Sequence, residues 1–499
     1  MDGKEGPLSS PRVSSGIQGL DAILRGGFPE GHSYLIQGRH GAGKTTLGLQ
    51  FCMRGAREGE KALYLSTCET EAEIREVAAS HGWGLEGVTL HHHDPRASFP
   101  QGREQSVFHP AEVELPQTME VILSVIREVK PRRLVVDSLS EIRLLSPEGR
   151  WFRRQVLALK DELFKQGCTT LFCDDRLTPE QPVHSIVHGV VDLEQVTPEY
   201  GPSRRRIHIA KLRGSTYVSG QHDFRIRTGG MEVYPRLVAA AHRQQAPTEV
   251  VSTGLPELDT LFGGGIDRGT ATLLLGPSGT GKSTLAAQFA LAAADRGESS
   301  AAYVFDERVQ TLLARAAGMK MRLEERVEEG LVELRQVDPA ELTPGEFSQA
   351  VRQAVEEKEV RMVIIDSLAG YLNAMPEERR LSLYLHELLS FLNERGVMAI
   401  LIMTQHGLPG SPRAVPFDVS YISDSVLLFH SFEFAGELRK AISVYKRRAG
   451  DHERTLRELR FGEGGVEIGE PLRAFRGITT GTPDFLGESL SHVEDHQGD

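Results

Sequence analysis

GRHGAGKTTLGLQF at Gly38–Phe51 and GPSGTGKSTLAAQF at Gly276–Phe289 decide how this 499-residue chain is read. Each contains G-x-x-x-x-G-K-[ST], follows an apolar run (SYLIQG, ATLLLG) and opens a helical pattern. Glycines let backbone N–H groups wrap a phosphate without Cβ clashes. The lysine reaches the β and γ oxygens, and the hydroxyl holds Mg²⁺. One such loop could be an incidental turn. Two at equivalent places point to two nucleotide sites.

Outward from these loops, the whole chain repeats. SSGIQGLDAILRGGFPEG at Ser14 returns as STGLPELDTLFGGGIDRG at Ser252, RRLVVDSLSEI at Arg132 as VRMVIIDSLAG at Val360, and HIAKLRG at His208 as SVYKRRAG at Ser443. Offsets between matched residues are 282 − 44 = 238, 366 − 137 = 229 and 446 − 211 = 235. Near-constant spacing over four ordered blocks means two homologous globular domains in tandem. The expected division is a tail over 1–12, a first domain over 13–238, a linker over 239–247, a second domain over 248–477 and an acidic, weakly patterned tail over 478–499. Within each copy, short β-branched runs (LVVDSL, TTLFCDD; MVIIDSL, MAILIMT) alternate with longer helical patterns. That predicts an α/β fold, a mostly parallel twisted sheet flanked by helices. The Pro-rich polar stretch from Leu90 to Glu112 reads as a surface loop.

Composition excludes several classes. With 39% apolar and 25% charged residues the chain can build large cores, so it is not wholly disordered. Fifty-seven basic and 69 acidic side chains give −12. Residues 1–246 hold 31 basic and 30 acidic side chains, and 247–499 hold 26 and 39, so the acidic excess belongs to the second copy. Such a balance argues against coating nucleic acid through net charge, and no nucleic-acid partner is expected. The densest apolar run, Val397–Met403, falls far short of the roughly 18 residues of a membrane helix. Met1–Arg12 is polar and carries no secretory signal pattern. The cysteines (Cys52, Cys68, Cys168 and Cys173) form no CxxC pair, which supports neither a disulfide framework nor a thiolate metal site. A reducing cytoplasm is the expected compartment.

A carboxylate ending an apolar strand should complete each metal site. Asp137 in LVVDS and Asp366 in VIIDS fit. Hydrolysis also needs a group to orient the attacking water. Glu69 after Cys68, and Asp306 with Glu307, stand at the ends of ALYLST and AAYVF. Lys211 and Arg213, with Lys446, Arg447 and Arg448, are basic groups late in each copy. They read either as solvated strand ends or as cations inserted into a neighbour's nucleotide, and the second reading requires a ring or filament. His91, His92 and His93 are consecutive on a strand and point to alternating faces, so they do not form a metal site. The basic run SRRRIHI, Ser203–Ile209, reads as a solvated strand edge in preference to a phosphate-backbone contact, and Trp83 as packing or base stacking.

In these motifs the chain resembles the KaiC family of tandem RecA-type P-loop ATPases, from Val13 to Leu486. The resemblance implies two RecA-like domains, ATP with Mg²⁺ at subunit interfaces of a double-ring homohexamer, slow hydrolysis in the first ring, and serine/threonine autokinase activity in the second. It also implies protein signalling partners. Carried over by position, ATP contacts in the first site would be Gly41, Ala42, Gly43, Lys44, Thr45, Thr46 and Ser80, with Lys211, Leu212 and Arg213 supplied by the adjacent subunit. In the second they would be Ser278, Gly279, Thr280, Gly281, Lys282 and Ser283, with Lys446, Arg447 and Arg448 supplied in trans. Thr45 with Asp137, and Ser283 with Asp366, would bind the metal. Glu69, Asp306 and Glu307 would be catalytic. Ser420 and Tyr421 stand at the family's Ser-Thr phosphoacceptor pair, where tyrosine is a departure. Cys68, Asp306 (for glutamate) and Met319 (for tryptophan) depart as well. Two rivals share the P-loop core: a DNA-dependent, helicase-like motor, and a nucleotide-gated scaffold.

Overall fold

The apolar runs flanking each glycine loop lie near the middle of two sheets with the same strand order. The computed structural model describes residues 11–94, 110–146, 149–175, 183–197, 201–238, 249–338, 340–373, 381–405, 422–480 and 483–486. It divides into two units, 1–236 and 237–499. The expected linker over 239–247 lies outside the described residues.

In the first unit the sheet order is Gly230–Tyr234, Gln221–Arg227, Arg204–Leu212, Gly189–Val196, Ser33–Gly38, Thr169–Asp174, Arg133–Asp137, Ala62–Ser66, Val88–His92. The six strands from Gly189–Val196 to Val88–His92 are parallel, and the other three extend the sheet antiparallel. The second unit repeats this around Ala271–Gly276, with Met398–Thr404 between it and Met362–Asp366, Ser425–Phe434 parallel on its other side, and an antiparallel extension of Glu437–Arg447, Arg457–Gly462 and Gly465–Pro471. These are two tandem RecA-like sheets.

Period-two alternation explains why the central strands look uniformly apolar. Tyr34, Ile36, Tyr64 and Val135 face the helix Lys44–Arg57, while Leu35, Leu63, Leu65, Leu134 and Val136 face the helices Pro110–Val129 and Gly149–Lys165. A strand covered on both faces needs apolar residues at every position. Parallel strands also bring their carboxyl ends to one edge, which is where open α/β sheets bind ligands.

Three stretches read from the sequence as tail or loop carry described structure. Arg12–Val13 pairs with Phe28–Pro29 at the start of the first domain. Leu90–His92 continues a strand paired with Ala62–Ser66, and Pro110 opens a helix, so both ends of the stretch read as loop lie in regular elements; 95–109 lies outside the described residues. Residues 478–480 and 483–486, inside the stretch read as a tail, are described, and 487–499 lie outside the described residues. Ile478 is buried, and Asp484–Phe485 pairs with Phe475–Arg476 because Phe485 finds the rings of Phe434 and Phe475, with centroids 5.2 and 5.3 Å away. Aromatic contacts of this size outweigh weak local patterning.

Arg133 is buried on the first central sheet. It pairs with Glu58 and Glu60, donates to the carbonyls of Ser14 (2.7 Å) and Phe51 (3.2 Å), and lies over the Phe51 ring. The second copy has Met362 at this register position. Arg133→Met should lower first-domain stability by about 3 kcal/mol, since two carboxylates and two carbonyls lose their cation. Both tryptophans, Trp83 and Trp151, lie in the first copy. Urea unfolding followed by tryptophan fluorescence therefore reads this domain alone, and its midpoint should fall.

Candidate nucleotide sites

Each glycine loop takes a backbone shape that its glycines allow. Gly41 and Gly43 have φ of 75° and 102°, and Gly279 and Gly281 have 75° and 98°. A side chain there would be strained. It would also collide, with Ile226 Cδ1 at 2.7 Å from a Cβ on Gly43 and with the ring of Phe461 at Gly281. The helices Lys44–Arg57 and Lys282–Asp295 then begin with no side-chain cap and no acid in the first turn. Their leading N–H groups and positive dipole ends are available to an anion.

The hydroxyl after each lysine reaches the carboxylate two strands away. Thr45 Oγ1 donates to Asp137 Oδ2 at 2.8 Å, and Ser283 hydrogen-bonds Asp366. Lys44 Nζ donates to the carbonyls of Gly38 (2.8 Å) and Arg39 (3.3 Å), and Lys282 Nζ to those of Gly276 (2.9 Å) and Pro277 (2.6 Å). The paired hydroxyl and carboxylate are hard oxygen donors, and Mg²⁺ characteristically takes one or two protein carboxylates, with phosphate and water supplying the rest. Among the described residues no cluster of three or more His, Cys, Asp or Glu could enclose an ion. Burial, with Glu307 and Asp306 nearby, pushes Asp366 up to about 6. Burial pushes Lys282 down to about 8. Asp366 therefore sits in a local excess of carboxylates.

The two copies then diverge. Asp137 also accepts from Tyr64 OH at 2.6 Å, where the second copy has Ala302 beside Asp366. Lys44 meets the Asp175 carboxylate at 2.8 Å, and Thr404 holds that position in the second copy. Cys68 is exposed and Glu69 is half-buried, its carboxyl raised by burial and by Asp137. In the second copy Asp306 accepts from Ser367, and Glu307 is gripped at both oxygens by Arg315, at 2.7 and 3.0 Å. A cavity of about 410 Å³, within the range of ligand sites, is lined by Lys282, Asp306, Glu307 and Arg315, with Lys440 and Phe461 opposite.

The other expected residues lie farther from their own P-loops. Ser80 Oγ donates to Val77 O at 2.7 Å. Lys211 donates to His184 O and Val187 O, and Arg213 to Ser185 O. Lys446 donates to Ser423 O, Arg447 pairs with Asp267 at 3.0 Å, and Arg448 with Asp424 at 3.0 Å. Leu212 ends its strand, paired with Gly189. Ser420 and Tyr421 lie outside the described residues.

Sequence reading missed Arg205, Lys440, Arg315, Tyr64 and Asp175. Lys440 lines the second cavity with its Nζ 4.6 Å from the Phe461 centroid, and its ammonium is lowered by burial. Arg205 holds the matching register position in the first copy and is likewise lowered by burial. A signal existed. Each stands six residues before its KLRG or KRRA lysine (211 − 205 and 446 − 440).

The family model described as "ATPase: KaiC" matches residues 13–238 and 251–473. The circadian clock oscillator protein KaiC of Thermostichus vulcanus is 28% identical over 486 residues, covering 95% of this chain and 92% of that protein. Its counterpart in Prochlorococcus marinus (strain MIT 9313) is 27% identical over 488 residues, with 95% of each chain covered. That of Synechococcus elongatus is 26% identical over 481 residues, covering 94% and 91%.

Asp366 yields a pH prediction. Its folded pKa of about 6 exceeds the ordinary 3.8, so the folded ligand-free chain holds this proton more tightly than the unfolded chain. That favours folding at low pH, and the advantage is lost as pH rises from about 4 to 6. Asp366→Asn should therefore stabilise the ligand-free second domain at pH 7 by on the order of 2–3 kcal/mol. In the parent protein, Mg²⁺-dependent nucleotide binding at this site should fall as pH drops through 6. Calorimetry between pH 5 and 8 checks both.

Proposed function

The chain belongs to the KaiC ATPase family, and from that premise we propose that it is an ATP-hydrolysing signalling ATPase whose second domain phosphorylates the chain itself. The observation carrying this reading is the repeated bond between P-loop hydroxyl and strand-end carboxylate, Thr45–Asp137 and Ser283–Asp366, beside a buried lysine. ATP is the substrate. Mg²⁺ fits the donors Thr45 with Asp137 and Ser283 with Asp366; when bound, it would neutralise charge on the β and γ phosphates.

Lys44 and Lys282 would hold the transferred phosphoryl group, and the uncapped helix N-termini the phosphates behind it. Glu69 would orient water in the first site. In the second, Asp306 and Glu307 flank the reacting end, and the acceptor would be water or the Ser420 hydroxyl. Asp306 is the better placed to take its proton, because both Glu307 oxygens are already bound to Arg315. A carboxylate engaged at both oxygens is a poor proton acceptor.

Strand geometry supports ATP at subunit interfaces. Lys211 pairs with Val190, and Val190 with Leu35, near the start of the P-loop strand. Gly38 lies three residues farther on, about 10 Å at strand rise. Lys446 pairs with Val426, and Ser425 with Thr272, at the same end of the second sheet. These cations therefore point away from their own phosphates, while Arg205 and Lys440 occupy the near end. A ring of identical subunits would bring Lys211, Arg213, Lys446 and Arg448 to the next subunit's nucleotide, where a cation stabilises developing charge.

Light scattering with and without Mg·ATP should show ATP-dependent assembly to a hexamer. Lys446→Ala should leave monomer folding intact and lower turnover of the assembled protein by about 10²-fold or more. Incubation with γ-labelled ATP and mass spectrometry should place label on Ser420 or Tyr421. Intact turnover with neither labelled would remove the kinase half of the proposal.

A further inference from the structure

We propose that Asp175 makes the first nucleotide site discriminate against a triphosphate relative to the second, by setting a fixed carboxylate where the γ-phosphate meets Lys44. The inference rests on Lys44 being a nucleotide lysine, as proposed above.

Asp175 follows the strand Thr169–Asp174, which lies directly beside the P-loop strand. Pairing of Gln37 with Asp174 places Asp175 level with Gly38. Its Oδ1 is 2.8 Å from Lys44 Nζ, its side chain is largely buried, and Oδ2 is 3.7 Å from His40 Nε2. The three hydrogens of the Lys44 ammonium are thus divided among Gly38 O, Arg39 O and this carboxylate. An oxygen anion already holds the third donor.

The second copy provides an internal control. Thr404 pairs with Gly276, level with the start of its own loop, and lines the cavity beside Lys282. Lys282 donates to the two matching carbonyls, Gly276 O and Pro277 O, and a neutral hydroxyl stands where the first copy has a charge. The duplicated chain has thus placed one neutral and one anionic group at the same point of the same fold.

The consequences differ between nucleotides. A γ-phosphate brought to Lys44 competes with Asp175 for the ammonium and meets a like charge a few ångströms away. The α and β phosphates are held mainly by the loop's backbone N–H groups, farther from Asp175. Triphosphate binding therefore carries a penalty that diphosphate binding largely escapes, and after hydrolysis the carboxylate can retake Lys44 as inorganic phosphate leaves. Asp175 acts here as a specificity-determining residue, through Lys44 rather than as a proton acceptor.

The test uses the full chain with Lys282→Met, so that only the first site binds nucleotide. Titration calorimetry with Mg²⁺ compares ADP with a slowly hydrolysed ATP analogue. Adding Asp175→Thr should tighten analogue binding by about tenfold or more, and ADP binding by less than about threefold. Asp175→Asn, which removes only the charge, should act in the same direction. The mirror experiment places Thr404→Asp in a Lys44→Met chain, and analogue binding at the second site should weaken selectively. Equal shifts for both nucleotides, or an unchanged ratio in a chain that still binds them, overturn the inference and leave the nucleotide-site reading standing. A folded Lys282→Met chain, by circular dichroism, that binds neither nucleotide overturns both.

Discussion

Everything about the two sites hangs on a bond between a hydroxyl at the start of one helix and a carboxylate two strands away. Thr45 reaches Asp137, and Ser283 reaches Asp366, across an intervening strand. That reach is possible only if the glycine loop turns tightly enough to start the helix over the sheet edge. It also needs the parallel strands to end together. The positive φ values, the absence of caps and the six-strand parallel core are all conditions of this one contact. On the proposed reading, it would join the group that cradles phosphate to the group that holds its counter-ion.

Around that shared bond the copies have drifted in charge. The first buries donors beside its acids: Tyr64 on Asp137, Lys44 on Asp175, and Arg143 on Asp174. The second leaves Asp366 under-compensated and commits Arg315 to Glu307. Where the first has Gln37 bonded to Asp192, the second has Leu275 beside Leu428. Burial and neighbouring acids raise Asp366, and burial raises Asp174 in spite of Arg143. The same fold therefore presents a first site in which Lys44 meets an acid and a second in which acids gather around Asp366.

Much of this was legible beforehand. The glycine loops, Asp137 and Asp366 are local motifs whose meaning comes from neighbours in sequence, and the internal repeat exposed the two-domain plan. Arg205 and Lys440 were hidden because their role comes from strand pairing with residues far along the chain. Arg315 was hidden differently: it is one helical arginine among several until the helix is seen to carry it back over Glu307. Pairing of Asp484–Phe485 with Phe475–Arg476 was hidden because Phe485 meets Phe434, a partner that local patterning does not announce.

By itself, then, the sequence determined the duplication, the α/β class and the identity of each phosphate loop, since glycine conformations and apolar periodicity act over short spans. Tertiary structure alone decided which residues of the strand Arg204–Leu212 lie level with the P-loop. Strand pairing sets Arg205 at the loop end and Lys211 about 10 Å back along the sheet. It likewise decided that Asp175, rather than Asp174, meets Lys44. One residue's shift along a strand reverses the side to which a carboxylate points, and pairing with the P-loop strand sets that register.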